Sequence, residues 1–377
     1  MNAWVETEAA RIARGAEREL EALVGISTPS GDTSGAEEAV AICAALLPAE
    51  ADARRLPCST EGYADDLLAT VRGTGEGRLL LLGHVDTVVG HDTFRPLERV
   101  GDRLVGSGAV DMKGGVVISL GVLESLAARP EAFEEVALLL VTDEEWRVGR
   151  LHHSERFAGY DACLCFEAGQ GGPNGEEGVV VKRKAAATLR VTAAGVSAHS
   201  GSAPDRGRNA LLALAAAAQR VAELHDPGGP ERLTVVPTII NSGEAFNVVP
   251  SGGELFCDMR AERASAFDAV REAVPDEIGG AKLEPEIVRL WPGMDAREAT
   301  AGLLERASRQ LGRPVFGVER GGASDASHMA GVVPVTVDGL GPRGGGAHNP
   351  GEYVLAKTLH SRAEVALALV AALLDVS

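Results

Sequence analysis

Leu79-Leu80-Leu81-Leu82-Gly83-His84-Val85-Asp86-Thr87 decides how this chain is read. Four consecutive leucines closed by a glycine predict a strand buried on both faces of a sheet, because a half-solvated strand would alternate apolar with polar residues. A histidine and, two residues on, an aspartate follow its end. In open α/β sheets ligands gather in the crevice beyond the carboxyl ends of the strands. His84 therefore stands where a metal ligand is wanted. Asp86 is placed to accept from the other ring nitrogen and so fix the tautomer.

The pattern recurs along the chain. Val136-Ala137-Leu138-Leu139-Leu140-Val141 reads as a second buried strand and ends in Thr142-Asp143-Glu144-Glu145. Ala162-Cys163-Leu164-Cys165-Phe166 is a third and ends in Glu167. Helical spacing of Ala9, Ile12, Ala16, Leu20 and Leu23 predicts an opening amphipathic helix, followed by another over 36–47. Short strands are expected around 51–57 and 66–72. Asp111-Met112-Lys113-Gly114-Gly115 opens a helix that runs to Pro130. Strands alternating with helices give an α/β class: a mostly parallel central sheet with helices on both faces.

Gly169 to Gly178 is rich in glycine, proline and asparagine and reads as a linker. Beyond it the grammar changes to strand (179–194), helix (207–224), strand (232–241), strand (253–261), helix (264–274) and strand (282–289). That β-α-β-β-α-β order is ferredoxin-like. The earlier style returns near Trp291-Pro292-Gly293, with a helix at 300–311 and a final apolar helix from Leu359 to Leu374. The expectation is a catalytic domain of 1–177 and 292–377, with an inserted ferredoxin-like α+β domain at 178–291.

With 377 residues, of which 45% are hydrophobic, the chain can bury two cores. Its 54 acidic against 36 basic residues give a net charge of −18, which repels phosphates and anionic lipids. Neither nucleic acid nor a membrane is expected as a partner. The cysteines (Cys43, Cys58, Cys163, Cys165, Cys257) are odd in number and scattered, without a metal or redox spacing. They read as small buried residues in a reducing compartment. With no signal segment and no long apolar run, a soluble cytoplasmic protein is expected.

Five potential ligands lie past strands or at loop–helix junctions: His84, Asp111, Glu145, Glu167 and His348. Asp111 alone would be a helix cap, and Glu144-Glu145 alone a solvated pair. Their place beyond buried strands changes that reading. His348 sits in Gly341-Pro342-Arg343-Gly344-Gly345-Gly346-Ala347-His348, a loop too rich in glycine to be core. Two histidines and three carboxylates satisfy two Zn²⁺ ions if one carboxylate bridges, each ion keeping an open position. Co²⁺ or Mn²⁺ would also suit such donors. Glu144, beside Glu145, is the candidate general base.

The sequence resembles the dizinc amidohydrolase family of glutamate carboxypeptidase, acetylornithine deacetylase, succinyl-diaminopimelate desuccinylase and aminoacylase, the first most of all. The carriers are Gly83-His84-Val85-Asp86-Thr87-Val88, Gly108-Ala109-Val110-Asp111-Met112-Lys113-Gly114-Gly115, Thr142-Asp143-Glu144-Glu145, Phe166-Glu167, Ser197-Ala198-His199-Ser200-Gly201, Gly207-Arg208-Asn209-Ala210 and Gly346-Ala347-His348. The resemblance implies that Asp111 bridges two metals, with His84 and Glu167 completing one site and Glu145 and His348 the other. It implies catalytic roles for Glu144 and Asp86. It further implies that the inserted domain is a lid through which the chain dimerises, so that His199 reaches the partner's site, and that Asn247 and Arg260 contact substrate. The implied reaction is hydrolysis of an amide beside a free carboxylate, releasing a C-terminal amino acid. The substrate would be a small peptide or an N-acyl amino acid. Alternatives are an N-acyl-amino-acid deacylase, a dipeptidase, or a catalytically inactive binding relative. Three departures stand out. Trp146-Arg147-Val148 replaces a small turn, Ala168-Gly169 follows Glu167, and Arg343 interrupts a glycine run, where it either binds substrate or faces solvent.

Overall fold

A computed structural model describes residues 1–376, which form two compact units. The first comprises Met1–Lys182, Met294–Arg320 and the chain from Ser324 onward; the second comprises Arg183–Gly293 and Gly321–Ala323.

The first unit is built on a six-stranded sheet in the order Asp52–Leu56, Asp66–Arg72, Glu135–Val141, Arg78–His84, Ala162–Cys165, Thr336–Val337. The last four run parallel, and the first two add antiparallel strands at one edge. Leu79, Leu80, Leu81 and Leu82 are all 0% exposed. Leu79 and Leu81 pack with the helices Ala3–Val24, Gly114–Ala127 and Ala356–Leu374, while Leu80 and Leu82 pack on the opposite face with Leu151, Phe157 and Met329. Burial on both faces explains why this strand carries no polar alternation. Cys163 and Cys165 share the second face, as their spacing predicts.

The second unit is a sheet in the order Thr234–Ser242, Gly252–Ala261, Ala185–Ala194, Ala281–Trp291, Glu277–Ile278, with every neighbouring pair antiparallel. The helices Ala210–Ala222 and Ala266–Glu272 cover one face through Leu189, Val191, Leu255, Met259 and Leu214. This is the ferredoxin-like arrangement the element order predicts.

Two local readings change. The segment 179–194 is not one strand: Glu177–Arg183 pairs with Val315–Arg320 in the first unit, and Ala185–Ala194 belongs to the second. The change of unit falls between Lys182 and Arg183, hidden within a continuous β-prone run. The glycine-rich stretch before it is a tight hairpin rather than a slack linker, since Gln170–Gly171 pairs antiparallel with Glu177–Gly178.

Candidate metal centre

Three neighbouring parallel strands end at one level and deliver the site. His84 is level with Val141, and Leu82 with Cys165. The residues just beyond these ends, Asp86, Glu144, Glu145 and Glu167, therefore emerge together. Asp111 arrives from the turn before the helix Gly114–Ala127, and His348 from the glycine-rich loop. That helix approaches so closely that a Cβ on Gly115 would lie 1.8 Å from the Phe166 carbonyl oxygen, which only glycine tolerates.

Asp111 stands between the two imidazoles. One carboxylate oxygen is 3.3 Å from His84 Nε2 and the other 3.1 Å from His348 Nε2. Glu167 lies 3.6 Å from His84 Nε2, and Glu145 lies 3.5 Å from His348 Nε2. The five groups thus divide into two halves that share Asp111. His84 Nδ1 faces Asp86 Oδ1 at 3.3 Å and the Asp86 carbonyl at 3.1 Å, leaving Nε2 for the cluster. The same Asp86 carboxylate accepts the Glu144 and Glu145 N–H groups, both at 3.1 Å. One side chain orients the His84 ring and holds the turn that carries Glu144 and Glu145.

Electrostatically the cluster lacks cations. Burial, then the Asp111 charge, pushes the Glu145 and Glu167 carboxyls well above their usual range, and burial also raises Glu144. Burial opposes ionisation of Asp111 too, but its hydrogen bond to His348 and the adjacent His84 imidazole outweigh that and leave it lowered. For His84 burial is likewise overcome, by Asp111, Asp86, Glu144 and Glu167, so that its pKa rises. His84 Nε2 and Glu145 Oε1 are buried without a hydrogen-bond partner. Such orphaned donor atoms, on residues whose oxygens and ring nitrogens converge, fit divalent cations. His84, Asp111 and Glu145 present ligand atoms within 4.8 Å of one another.

Residues that the sequence reading passed over support the centre. Glu352 accepts the N–H groups of Gly108 (3.2 Å), Val110 (2.6 Å) and Asp111 (2.8 Å), fixing the loop that carries Asp111. Lys113 is buried and donates to the Ile26 carbonyl at 2.7 Å. Arg147, part of the departure after Glu145, is 1% exposed. It pairs with Asp143 at 2.7 Å and with Asp325, and its N–H bonds the Asp143 carbonyl at 3.0 Å. Trp146 and Val148 on either side of it are exposed. The only signal for Arg147 in the sequence is a charge inside an apolar pair. The alternatives left open for Arg343 resolve, because its guanidinium engages Glu177 (2.6 Å) and the carbonyls of Glu176 and Gly175. His91 is an exposed partner of Ser27 and Asp32.

In the second unit His199 is exposed, and its Nδ1 accepts the N–H groups of Gly201 (3.1 Å) and Ser202 (3.2 Å). Two donors on Nδ1 place the ring proton on Nε2. Asn247 is exposed, and its carbonyl accepts from Ser200. Arg260 is held by Asp258 in a two-pronged pair, both bonds 3.0 Å.

Residues 80–372 match the family described as peptidase family M20/M25/M40. The chain is 28% identical over 374 residues to carboxypeptidase G2 of Pseudomonas sp. (strain RS-16), covering 93% of this chain and 87% of that protein. It is 30% identical over 350 residues to succinyl-diaminopimelate desuccinylase of Xanthomonas campestris pv. campestris (strain B100), covering 85% and 90%. Its fold is that of an M20 family metallo-carboxypeptidase from Sulfolobus solfataricus, with TM-score 0.74, 15% identity, and 96% and 99% of the two chains covered. Aminopeptidase PepT from Bacillus cereus superposes similarly, at TM-score 0.73 and 19% identity over 96% and 98%. The chain belongs to peptidase family M20/M25/M40, and it is a metal-dependent hydrolase.

Proposed function

We propose that the protein hydrolyses an amide bond next to a free carboxylate, in the manner of a glutamate carboxypeptidase, with two Zn²⁺ ions held by His84, Asp111 and Glu167 and by His348, Asp111 and Glu145. The observation that carries this reading is the position of Asp111, one oxygen toward each imidazole and a separate glutamate behind each. When bound, the cations supply the Lewis acid that polarises the scissile carbonyl and acidifies a water. Glu144 takes the proton of the attacking water and delivers it to the leaving nitrogen. Asp86 keeps His84 in the tautomer that presents Nε2.

His199 donates Nε2–H to the substrate carbonyl oxygen as it gains charge. Its Nδ1 bonds to Gly201 and Ser202 support that role. Arg260 binds the substrate carboxylate by exchanging its bonds with Asp258, and Asn247 adds a hydrogen bond. A guanidinium fork already held flat by one carboxylate is organised to take another.

Dimerisation through the second unit accompanies this reading. Thr234–Ser242 is the edge strand of its sheet, and it exposes Val236, Ile239 and Ile240. Leu211 and Leu212 on the helix Ala210–Ala222 are exposed as well. An unpaired apolar edge of this kind calls for a partner, and a second copy supplies one. A cytoplasmic location agrees with five free cysteines and with the absence, among the described residues, of any helix long and apolar enough to cross a membrane.

The test pairs free-acid peptides and N-acyl amino acids with their C-terminal amides, alongside metal analysis. The expected result is about two metal ions per chain, loss of hydrolysis on chelation, restoration by Zn²⁺ or Co²⁺, and strong preference for the acids. Removing Arg260 should erase that preference, costing roughly 2–5 kcal/mol on the acids and little on the amides. Equal activity on acid and amide would overturn the carboxylate requirement.

A further inference from the structure

Beyond the dinuclear cluster, the first unit holds a second knot of buried charge. Asp66 opens the strand Asp66–Arg72, Asp143 follows the end of Glu135–Val141, and both are 0% exposed. Cys58, half-buried, lies in the connection leading to Asp66. Its sulfur and one carboxylate oxygen from each aspartate lie within 4.8 Å of one another.

The surrounding charges do not balance. Asp143 shares Arg147 with Asp325, so one guanidinium pairs with two buried carboxylates. His153 Nε2 comes no nearer to Asp66 Oδ2 than 3.6 Å, bonds the Pro57 carbonyl at 2.9 Å, and has its pKa lowered chiefly by burial. It contributes a neutral ring at pH 7. Asp66 Oδ1 accepts the Thr142 N–H at 3.1 Å, but Oδ2 is buried with no hydrogen-bond partner. An orphaned carboxylate oxygen in this position is costly unless a cation or proton completes it. Without a cation, burial and then the Asp143 charge push Asp66 up to about 8, and burial pushes the Cys58 thiol up to about 12. A bound cation reverses both, since coordination deprotonates a thiol outright.

We propose that Cys58, Asp66 and Asp143 form a mononuclear site for a divalent cation of zinc type, separate from the dinuclear cluster. The donor set chooses the ion. A thiolate excludes Mg²⁺ and Ca²⁺ in favour of Zn²⁺ or Co²⁺, and two carboxylates neutralise the remaining charge. Zinc bonds of about 2.3 Å to sulfur and 2.0–2.2 Å to oxygen require the donors to draw in to roughly 3.5 Å of one another. Cys58 is the least buried of the three and so the freest to move inward. His153, beside Asp66 Oδ2, supplies a fourth donor once it releases Pro57. The ion would tie the connection before Asp66 to the turn Asp143–Arg147, which carries Glu144 and Glu145, and so would be structural.

The experiment is a Co²⁺ titration of the metal-stripped full chain, followed by the near-ultraviolet thiolate-to-cobalt charge-transfer absorption. No ligand of the dinuclear cluster contains sulfur, so that band reports this site alone, whatever reaction the enzyme performs. The parent should develop the band and Cys58→Ser should lack it, while keeping the parent's circular dichroism spectrum, which shows that it is folded. Asp66→Asn should weaken Co²⁺ binding at the band by about tenfold or more. After dialysis against metal-free buffer, the zinc content of Cys58→Ser should be one equivalent below the parent. A parent without the band, or a band that survives Cys58→Ser, would overturn the proposal.

Discussion

Replacing Arg147 with methionine tests whether the Glu144-Glu145 turn is held by buried charge. The guanidinium is 1% exposed, pairs with Asp143 at 2.7 Å, and pairs also with Asp325. Methionine fills similar volume but leaves two buried carboxylates without their cation. Breaking a buried pair on one side costs roughly 3–5 kcal/mol, far above the ~1 kcal/mol ceiling of an exposed pair. The backbone bond from Arg147 N–H to the Asp143 carbonyl closes the same turn, so losing the side chain loosens a segment that holds both glutamates. Denaturant unfolding of the metal-loaded parent and of Arg147→Met should differ by that amount, with kcat falling more than KM rises. Adding Asp325→Asn to Arg147→Met should restore part of the stability, because one orphaned charge is removed, and the double-mutant cycle should show strong coupling. A loss below ~1 kcal/mol, with additive effects, would refute the reasoning and place these charges in contact with water.

Glu144→Ala should retain its metal content and fold but lose on the order of 10²–10⁴ in kcat, as measured by steady-state hydrolysis beside metal analysis. Mixing inactive Glu144→Ala with inactive His199→Ala under subunit exchange should regenerate activity if His199 serves the partner's site; proven exchange without activity would place it in cis. The Glu177 carboxyl is lowered, since its charge and hydrogen bonds with Arg362 and Arg343 outweigh burial. Its contribution is therefore complete above the unfolded carboxyl range near 4.3 and is lost as pH falls through the lower folded value. Unfolding followed from pH 7 downward should show that acid-sensitive segment in the parent. Glu177→Gln should lack it and be less stable at pH 7, because Arg362 is then buried without its anion.

Much of this arrangement is legible in the sequence, for a physical reason. A strand buried on both faces cannot hide its end: Leu79–Leu82 and Val136–Val141 are uniformly apolar, so the first polar residues beyond them mark the crevice. His84, Glu144, Glu145 and Glu167 are legible on that ground, and the element order of the second unit follows from alternating periods of two and 3.6. The supporting residues are hidden for the opposite reason. Glu352 acts through three backbone N–H groups, which leave no side-chain pattern. Arg147 lies between two exposed apolar residues and would be placed at the surface by any periodicity. The change of unit after Lys182 is invisible because both halves of 177–194 are good strands and only their partners differ.

Buried charge in the first unit takes two forms, and the difference marks where ligands belong. Around Glu177, the guanidiniums of Arg362, Arg343 and Arg313 face the carboxylates of Glu177 and Glu364, with further donors of Arg362 and Arg343 on main-chain carbonyls. Acid and base there complete one another, and every carboxylate has a guanidinium against it. At the strand ends, Asp111, Glu145 and Glu167 cluster on the His84 and His348 imidazoles, Asp86 backs His84, and ligand atoms are left without hydrogen-bond partners. A protein tolerates that imbalance only where a cation or a transferred proton completes it, because an isolated buried charge otherwise neutralises itself by shifting its pKa. The raised Glu145 and Glu167 carboxyls are that response in the metal-free chain. Placing cations there converts the same residues from protonated acids into anionic ligands. Metal binding to this centre must therefore release protons and weaken as pH falls.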